Sequence, residues 1–175
     1  FRHYAAALKP DAPFVFTYHH NNSQAYIPLI VAILDAGMNC TATLPAVAEM
    51  HASLHIAGTT SSVLDTVFVC RRETHCQPAE DVLAAVQTDI CHLEAARVRL
   101  TQGDLRCLCS GHIARLLIHR LHANWRSDRP LAERMAQVKE SIQQLPESLH
   151  IHTILENLQK RCHNTREEET LAAVI

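Results

Sequence analysis

The sequence predicts an α/β fold taken from the edge of a doubly wound sheet: a parallel strand, a crossover helix and a closing antiparallel pair, followed by an α-helical tail. Three observations predict it. Phe14 to His20 opens as a strand that is apolar on nearly every position, the pattern of a strand covered on both faces. A helical run from Ser23 to Ala36 follows at once and meets Gly37, the residue expected just past a helix C-terminus. Two further strand-like runs, Met38 to Leu44 and Ser62 to Cys70, have no helical pattern between them and are expected to pair as an antiparallel hairpin.

Taken in order, Tyr4 to Leu8 reads as the last turn of a helix whose beginning lies further upstream. Pro10 and Pro13 stop it, because proline cannot donate to the backbone ladder and restricts the residue before it. Asn21, Asn22 and Ser23 are all good N-cap types for the next helix. Pro28 sits one turn too late for a start at Ser23, so a kink or a delayed start is expected. Met38 to Leu44 alternates apolar and polar residues, and Pro45 is expected to end that strand. Ala46 to Thr60 reads as a long loop, and Ser62 to Cys70 as a β-branched strand closing at Arg71-Arg72.

Beyond Pro78 the chain turns helical and more polar. Ala79 to Leu100 carries apolar residues at helical spacing, and Gly103-Asp104 reads as the break after it. Helices are then expected over Leu105 to Trp125, over Leu131 to Leu145 with Asp128 as N-cap, and over Leu149 to His163. The domain reading is therefore 1–73 as α/β strands and helix, 74–163 as helical extension, and 164–175 as a flexible tail.

Composition narrows the class. The 175 residues carry a net charge of −2, far from the basic balance of a free-standing nucleic-acid binder. No apolar run reaches the length of a bilayer span, so no membrane partner is expected, and a start at Phe1 without a signal segment reads as internal to a longer protein. Seven irregularly spaced cysteines suit reduced thiols and a cytoplasmic location rather than a disulfide framework.

Leu8-Lys9-Pro10 ahead of a buried strand resembles the approach to the fifth strand of a class I methyltransferase. Phe16-Thr17-Tyr18-His19-His20, Leu34-Asp35-Ala36-Gly37, Ala42-Thr43-Leu44-Pro45, Glu49-Met50 and Val67-Phe68-Val69-Cys70-Arg71 are similar, in that order, to motifs of the large adenine-specific DNA methylases. Gly103-Asp104-Leu105, Gly111-His112-Ile113-Ala114 and Arg129-Pro130-Leu131 continue the likeness into a helical tail. The resemblance implies the C-terminal part of a Rossmann-like methyltransferase fold. In the whole enzyme it implies transfer of a methyl group from S-adenosylmethionine to the exocyclic amine of adenine in DNA. Two of the family's motifs are missing, the glycine-rich turn for the methyl donor and the Pro-Pro loop for the target amine; Leu44 and His112 depart from the family's Trp and Pro. No cofactor is therefore expected on this chain alone, and the N-terminal catalytic portion and DNA are the implied partners. The alternative is a non-catalytic module that docks onto a separate catalytic chain, since a sheet cut at this point exposes an edge.

Candidate site residues follow from position and from the resemblance. Tyr18, His19 and His20 lie at the C-terminal end of a strand, where doubly wound folds place ligand contacts, and are assigned with Glu49 to substrate binding. Packing for Tyr18 and helix capping for the histidines is the competing explanation. The loop with His51, Ser53 and His55 is a second candidate for approaching an extruded base. Arg71 and Arg72 are candidate DNA contacts, although two solvated charges often end a strand. Arg115, His119, Arg120, His122 and Arg126 give one helix a basic face. Cys107, Cys109 and His112, and Cys70, His75 and Cys76, lack the CxxC pair of a structural zinc site, so no metal ligand is assigned. No residue is assigned a catalytic role.

Overall fold

The computed structural model describes residues 1–47, 64–72 and 81–158. Helix α1 (Arg2–Ala7) precedes strand β1 (Phe14–Tyr18); a 3-10 turn (Ser23–Ala25) leads into helix α2 (Tyr26–Asp35). Strands β2 (Asn39–Val47) and β3 (Leu64–Arg71) follow, then helices α3 (Val82–Ala95), α4 (Gln102–His122) and α5 (Leu131–Gln143), and helix α6 over 151–158. The expected loop from Ala46 onward and the 164–175 tail fall mostly or wholly outside the described residues.

Among the described residues the sheet is three-stranded, in the order β1-β3-β2, and β3 runs antiparallel to both neighbours. Strands β1 and β2 therefore point the same way, joined by α2, with β3 inserted between them. The expected crossover helix and antiparallel β2–β3 pair are present. The expected parallel ladder is not: among the described residues β1 bonds to β3 alone, from Phe14↔Cys70 to Tyr18↔Thr66.

Helix α2 starts late, as Pro28 requires. Asn22 caps the 3-10 turn instead, its side chain accepting from the Gln24 N–H at 2.9 Å, and Pro28 falls in the first turn of α2, where its missing N–H does no harm. The helix ends in a Schellman arrangement: Gly37, at φ +64°, donates to Leu34 O, and Met38 donates to Ile33 O. Helix α3 ends by the same bonds at Arg97 and Val98, with Arg97 at φ +60°. No glycine marks that stop, which is why the sequence pattern runs on to Leu100.

Three boundaries are corrected. Strand β2 passes through Pro45 to Val47, because β2 is an edge strand and a missing N–H on its outer side costs no ladder bond. Gly103 and Asp104 do not separate helices; they form the first turn of α4, which Thr101 and Asp104 close with a reciprocal capping box. Asp128 does not cap α5, whose N-cap is Pro130; the Asp128 carboxylate instead accepts a two-pronged bond from Arg126 at 2.9 and 3.0 Å. That pairing holds the Asp128 carboxyl below its usual range.

Residues alternate strictly along β3. Leu64, Thr66, Phe68 and Cys70 are buried under α2 and α4, while Asp65, Val67, Val69 and Arg71 lie half-buried on the other face. Register puts Val15, Val69 and Ala42 in one row of that second face and Thr17, Val67 and Leu44 in the next. Val15 and Leu44 are each 52% exposed. Full coverage of β1 on both faces is thus corrected: the described helices pack on one face only. Among the described residues the main core joins the sheet to the helices, with Ile30, Ile33, Phe68, Leu117, Val138 and Ile154 among its deepest members, and a smaller cluster packs Leu64 against Leu93 and Leu108.

Helix α4 comes unusually close to β3 at Gly111. A Cβ there would sit 2.7 Å from Thr66 Cγ2, and Thr66 is buried, β-branched and tied to Cys107. Gly111→Ala is expected to lose about 2 kcal/mol, the overpacking cost outweighing the gain in helix propensity, and to lower the midpoint of a thermal melt by several degrees.

Candidate functional site

The end of β1 and the beginning of β3 are brought together by the Tyr18↔Thr66 register pair. His19 therefore lies beside Leu64 and Asp65. Its Nδ1 is 2.8 Å from Leu64 O and 3.3 Å from Asp65 Oδ1, and both neighbours are acceptors, so Nδ1 carries the proton. In the neutral ring this leaves Nε2 as an acceptor. His19 is 39% exposed and Asp65 28%, so the pair is open to a ligand. An imidazole held in one tautomer by a carboxylate can receive a proton or a hydrogen bond from a bound amine.

The neighbouring candidates divide by role. Tyr18 donates its hydroxyl to Ala25 O at 2.9 Å and sets its ring edge-on to Tyr26, so it fixes the 3-10 turn; burial raises its pKa. His20 accepts the Asn22 N–H on Nδ1 at 2.9 Å, holding the turn that carries the chain to α2. Arg71 donates to Thr41 Oγ1 at 2.7 Å, bracing the bulge at Thr41 in β2, and Arg72 is exposed beyond it. These two arginines lie at the opposite end of β3 from His19. Glu49, His51, Ser53, His55, His75 and Cys76 fall outside the described residues.

A second polar cluster lies under the sheet and joins residues distant in sequence. His112 in α4 is 2.7 Å from Asp89 Oδ2 through Nε2 and 3.3 Å from Thr43 Oγ1 through Nδ1. A neutral ring satisfies both contacts when Nε2 donates to Asp89 and the Thr43 hydroxyl donates to Nδ1. The order carboxylate, imidazole, hydroxyl is that of a nucleophile relay. Yet Thr43 is 6% and His112 7% exposed, so the three tie α3, α4 and β2 together rather than meet a substrate. The sequence marked His112 only as a departure from a family motif and as a neighbour of Cys109; nothing pointed to Asp89 or Thr43.

The buried thiols belong to the packing. Cys107 Sγ lies 3.4 Å from both Leu64 O and Thr66 Oγ1 and 3.5 Å from the Tyr26 hydroxyl. Burial, and then the neighbouring Cys107, raise the pKa of Tyr26. Burial pushes the Cys109 thiol up to about 12, and a hydrogen bond with Cys40 and then burial raise that of Cys70, so these thiols stay protonated and unreactive at neutral pH. Among the described residues no three His, Cys, Asp or Glu side chains converge on a point that could hold a metal ion.

The fit to S-adenosylmethionine is poor. A close approach of backbone to the donor needs a glycine between strand and helix. Here β1 passes to α2 through His19-His20-Asn21-Asn22, Gly37 follows a helix, and Gly103 and Gly111 are inside α4. No helix of the described residues is long and apolar enough to cross a membrane. No protein-family model, no curated protein and no solved structure matches the chain.

Proposed function

We propose that the chain is the C-terminal section of an adenine-specific DNA methyltransferase of the cytoplasm, completing a Rossmann-like sheet whose catalytic strands lie on a preceding portion. The observation that carries this is the incomplete state of the sheet. Among the described residues the outer edge of β1 has no strand partner, and the two rows that hold Val15, Val69 and Ala42, and Val67 and Leu44, have no helix over them. A strand on that edge and helices on that face would make the two-sided sheet that the resemblance implies. His19, steadied by Asp65, and Tyr18 behind it would then border the pocket for the target adenine, and Arg72 at the far end of β3 would be free to reach DNA. The methyl donor would be held by the preceding portion.

The test is S-adenosylmethionine binding by calorimetry, with this chain and with a chain extended upstream. Only the extended chain is expected to bind the donor and to methylate adenine in duplex DNA. Donor binding by the 175-residue chain itself, or an extended chain that neither binds nor methylates, overturns the proposal. The same open edge supports a second reading, a non-catalytic module docked by β-pairing on a separate chain. That reading gains if the extended chain is inert while this one forms a stoichiometric complex with a methyltransferase subunit.

A further inference from the structure

From His92 to Arg106 the chain carries three arginines and a histidine, all exposed, against one exposed acid, Glu94; the other acid, Asp104, is buried. In a chain of net charge −2 this makes the α3–α4 turn a local positive patch. Its placement is fixed by packing. Val98 and Leu100 turn inward onto the cluster of Leu64, Leu93 and Leu108, and Asp104 accepts the Leu64 N–H at 3.0 Å. Arg97 and Arg99, on either side of Val98, are left exposed. The patch is thereby held at the start of β3, beside Asp65 and at the same end of the sheet as His19. Arg71 and Arg72 lie at the other end, about 20 Å along the strand.

Two features set this turn apart from an ordinary charged surface. Arg97 occupies the left-handed position that ends α3, at φ +60°, where glycine is the usual residue and an L side chain is disfavoured. Neither its guanidinium nor that of Arg99 has a hydrogen-bond or ion-pair partner among the described residues, so no contact there explains the choice. Backbone outliers of this kind gather where a side chain serves a binding contact. An unpaired guanidinium matches two phosphate oxygens at once. Arg97 and Arg99 stand within about 7 Å of each other along the chain, so both reach one stretch of backbone.

We infer that Arg97 and Arg99 bind backbone phosphates of duplex DNA, laying the duplex across the α3–α4 turn at the His19 end of the sheet. The identity of the polyanion as DNA rests on the methyl-transfer reading.

The experiment follows binding of the 175-residue chain to a fluorescein-labelled duplex of mixed sequence by anisotropy, at about 50 mM NaCl and at rising salt. Micromolar binding is expected. Arg97→Gly should weaken it about fivefold while raising the thermal midpoint, because glycine takes the left-handed position without strain. Arg97→Gly with Arg99→Ala should weaken it about twentyfold and make the salt dependence shallower by about two in slope. Arg120→Ala removes the same charge about 27 Å along α4 from its first residue and should leave affinity within about twofold. No binding by the folded native chain, a double variant that binds as tightly as the native one, or an equal loss in Arg120→Ala overturns the contact. An upstream-extended chain that binds no methyl donor, with the Arg97 and Arg99 losses intact, removes the methyl-transfer reading and leaves the contact; donor binding without those losses does the reverse.

Discussion

Asp104→Ala is expected to destabilise the protein by about 4 kcal/mol, a large share of the 5–15 kcal/mol that holds an ordinary domain together. Asp104 is fully buried at the first turn of α4. One carboxyl oxygen accepts the Leu64 N–H at 3.0 Å; the other accepts the Thr101 N–H and the Thr101 hydroxyl, each at 2.7 Å. The same side chain therefore caps a helix and latches the first residue of the central strand. Truncation removes a cap, at about 1 kcal/mol, and strands the Leu64 N–H in a dry site, at about 1–3 kcal/mol, with a cavity cost on top. Asp104→Asn keeps the shape and one acceptor and should lose about half as much. Urea unfolding followed by circular dichroism and by Trp125 fluorescence measures both; a loss below about 1 kcal/mol for the alanine variant would show that the latch is not structural.

Asp35→Ala is the second large effect, about 3 kcal/mol. Asp35, at the C-terminal end of α2, receives the Arg134 guanidinium from α5 on Oδ2 and the Trp125 indole N–H on Oδ1 at 3.0 Å, while Arg2 of α1 reaches its backbone oxygen at 3.1 Å. Arg134 and Asp35 are 12% and 14% exposed, so removing the carboxylate leaves a largely desolvated guanidinium with no counter-charge there and the Arg129 carbonyl, at 2.8 Å from Nε, as its remaining hydrogen-bond acceptor. Breaking such a pair costs more than replacing it whole. The double variant Asp35→Ala with Arg134→Met should therefore recover at least half of the loss, and a thermodynamic cycle over the four proteins reads the coupling directly. Additive losses would mean that the two side chains do not depend on each other.

Local signals carried much of the architecture. The β1–α2–β2 order, the stop at Gly37, the delay at Pro28 and the antiparallel β2–β3 pair all follow from residues within a few positions of the feature. Long-range features did not show. Phe14-Val15-Phe16 reads as a strand buried on both sides, and only the placement of the helices reveals that Val15 is left half-exposed. A left-handed arginine ends α3 where a glycine would have announced the stop. At the site, position at the end of a strand singled out His19, but the Leu64 carbonyl approaches it from 45 residues away and Asp65 from one residue further, beyond any spacing rule. The Thr43–His112–Asp89 cluster is invisible for the same reason: it is made by packing.

The central strand is also the last of the three to be synthesised. A growing chain that has reached Val47 holds β1, α2 and β2, yet those two strands are not each other's partners, and each bonds only to β3 among the described residues. Sheet formation must wait until Arg71 has left the ribosome, and the Asp104 latch on Leu64 comes later still. Until then an apolar strand, a half-apolar strand and an apolar helix are without their ladder, at the stage when stray pairing with other chains is most dangerous. The price of inserting the last strand in the middle is a stage of synthesis at which β1, α2 and β2 all wait, exposed, for a common partner that does not yet exist.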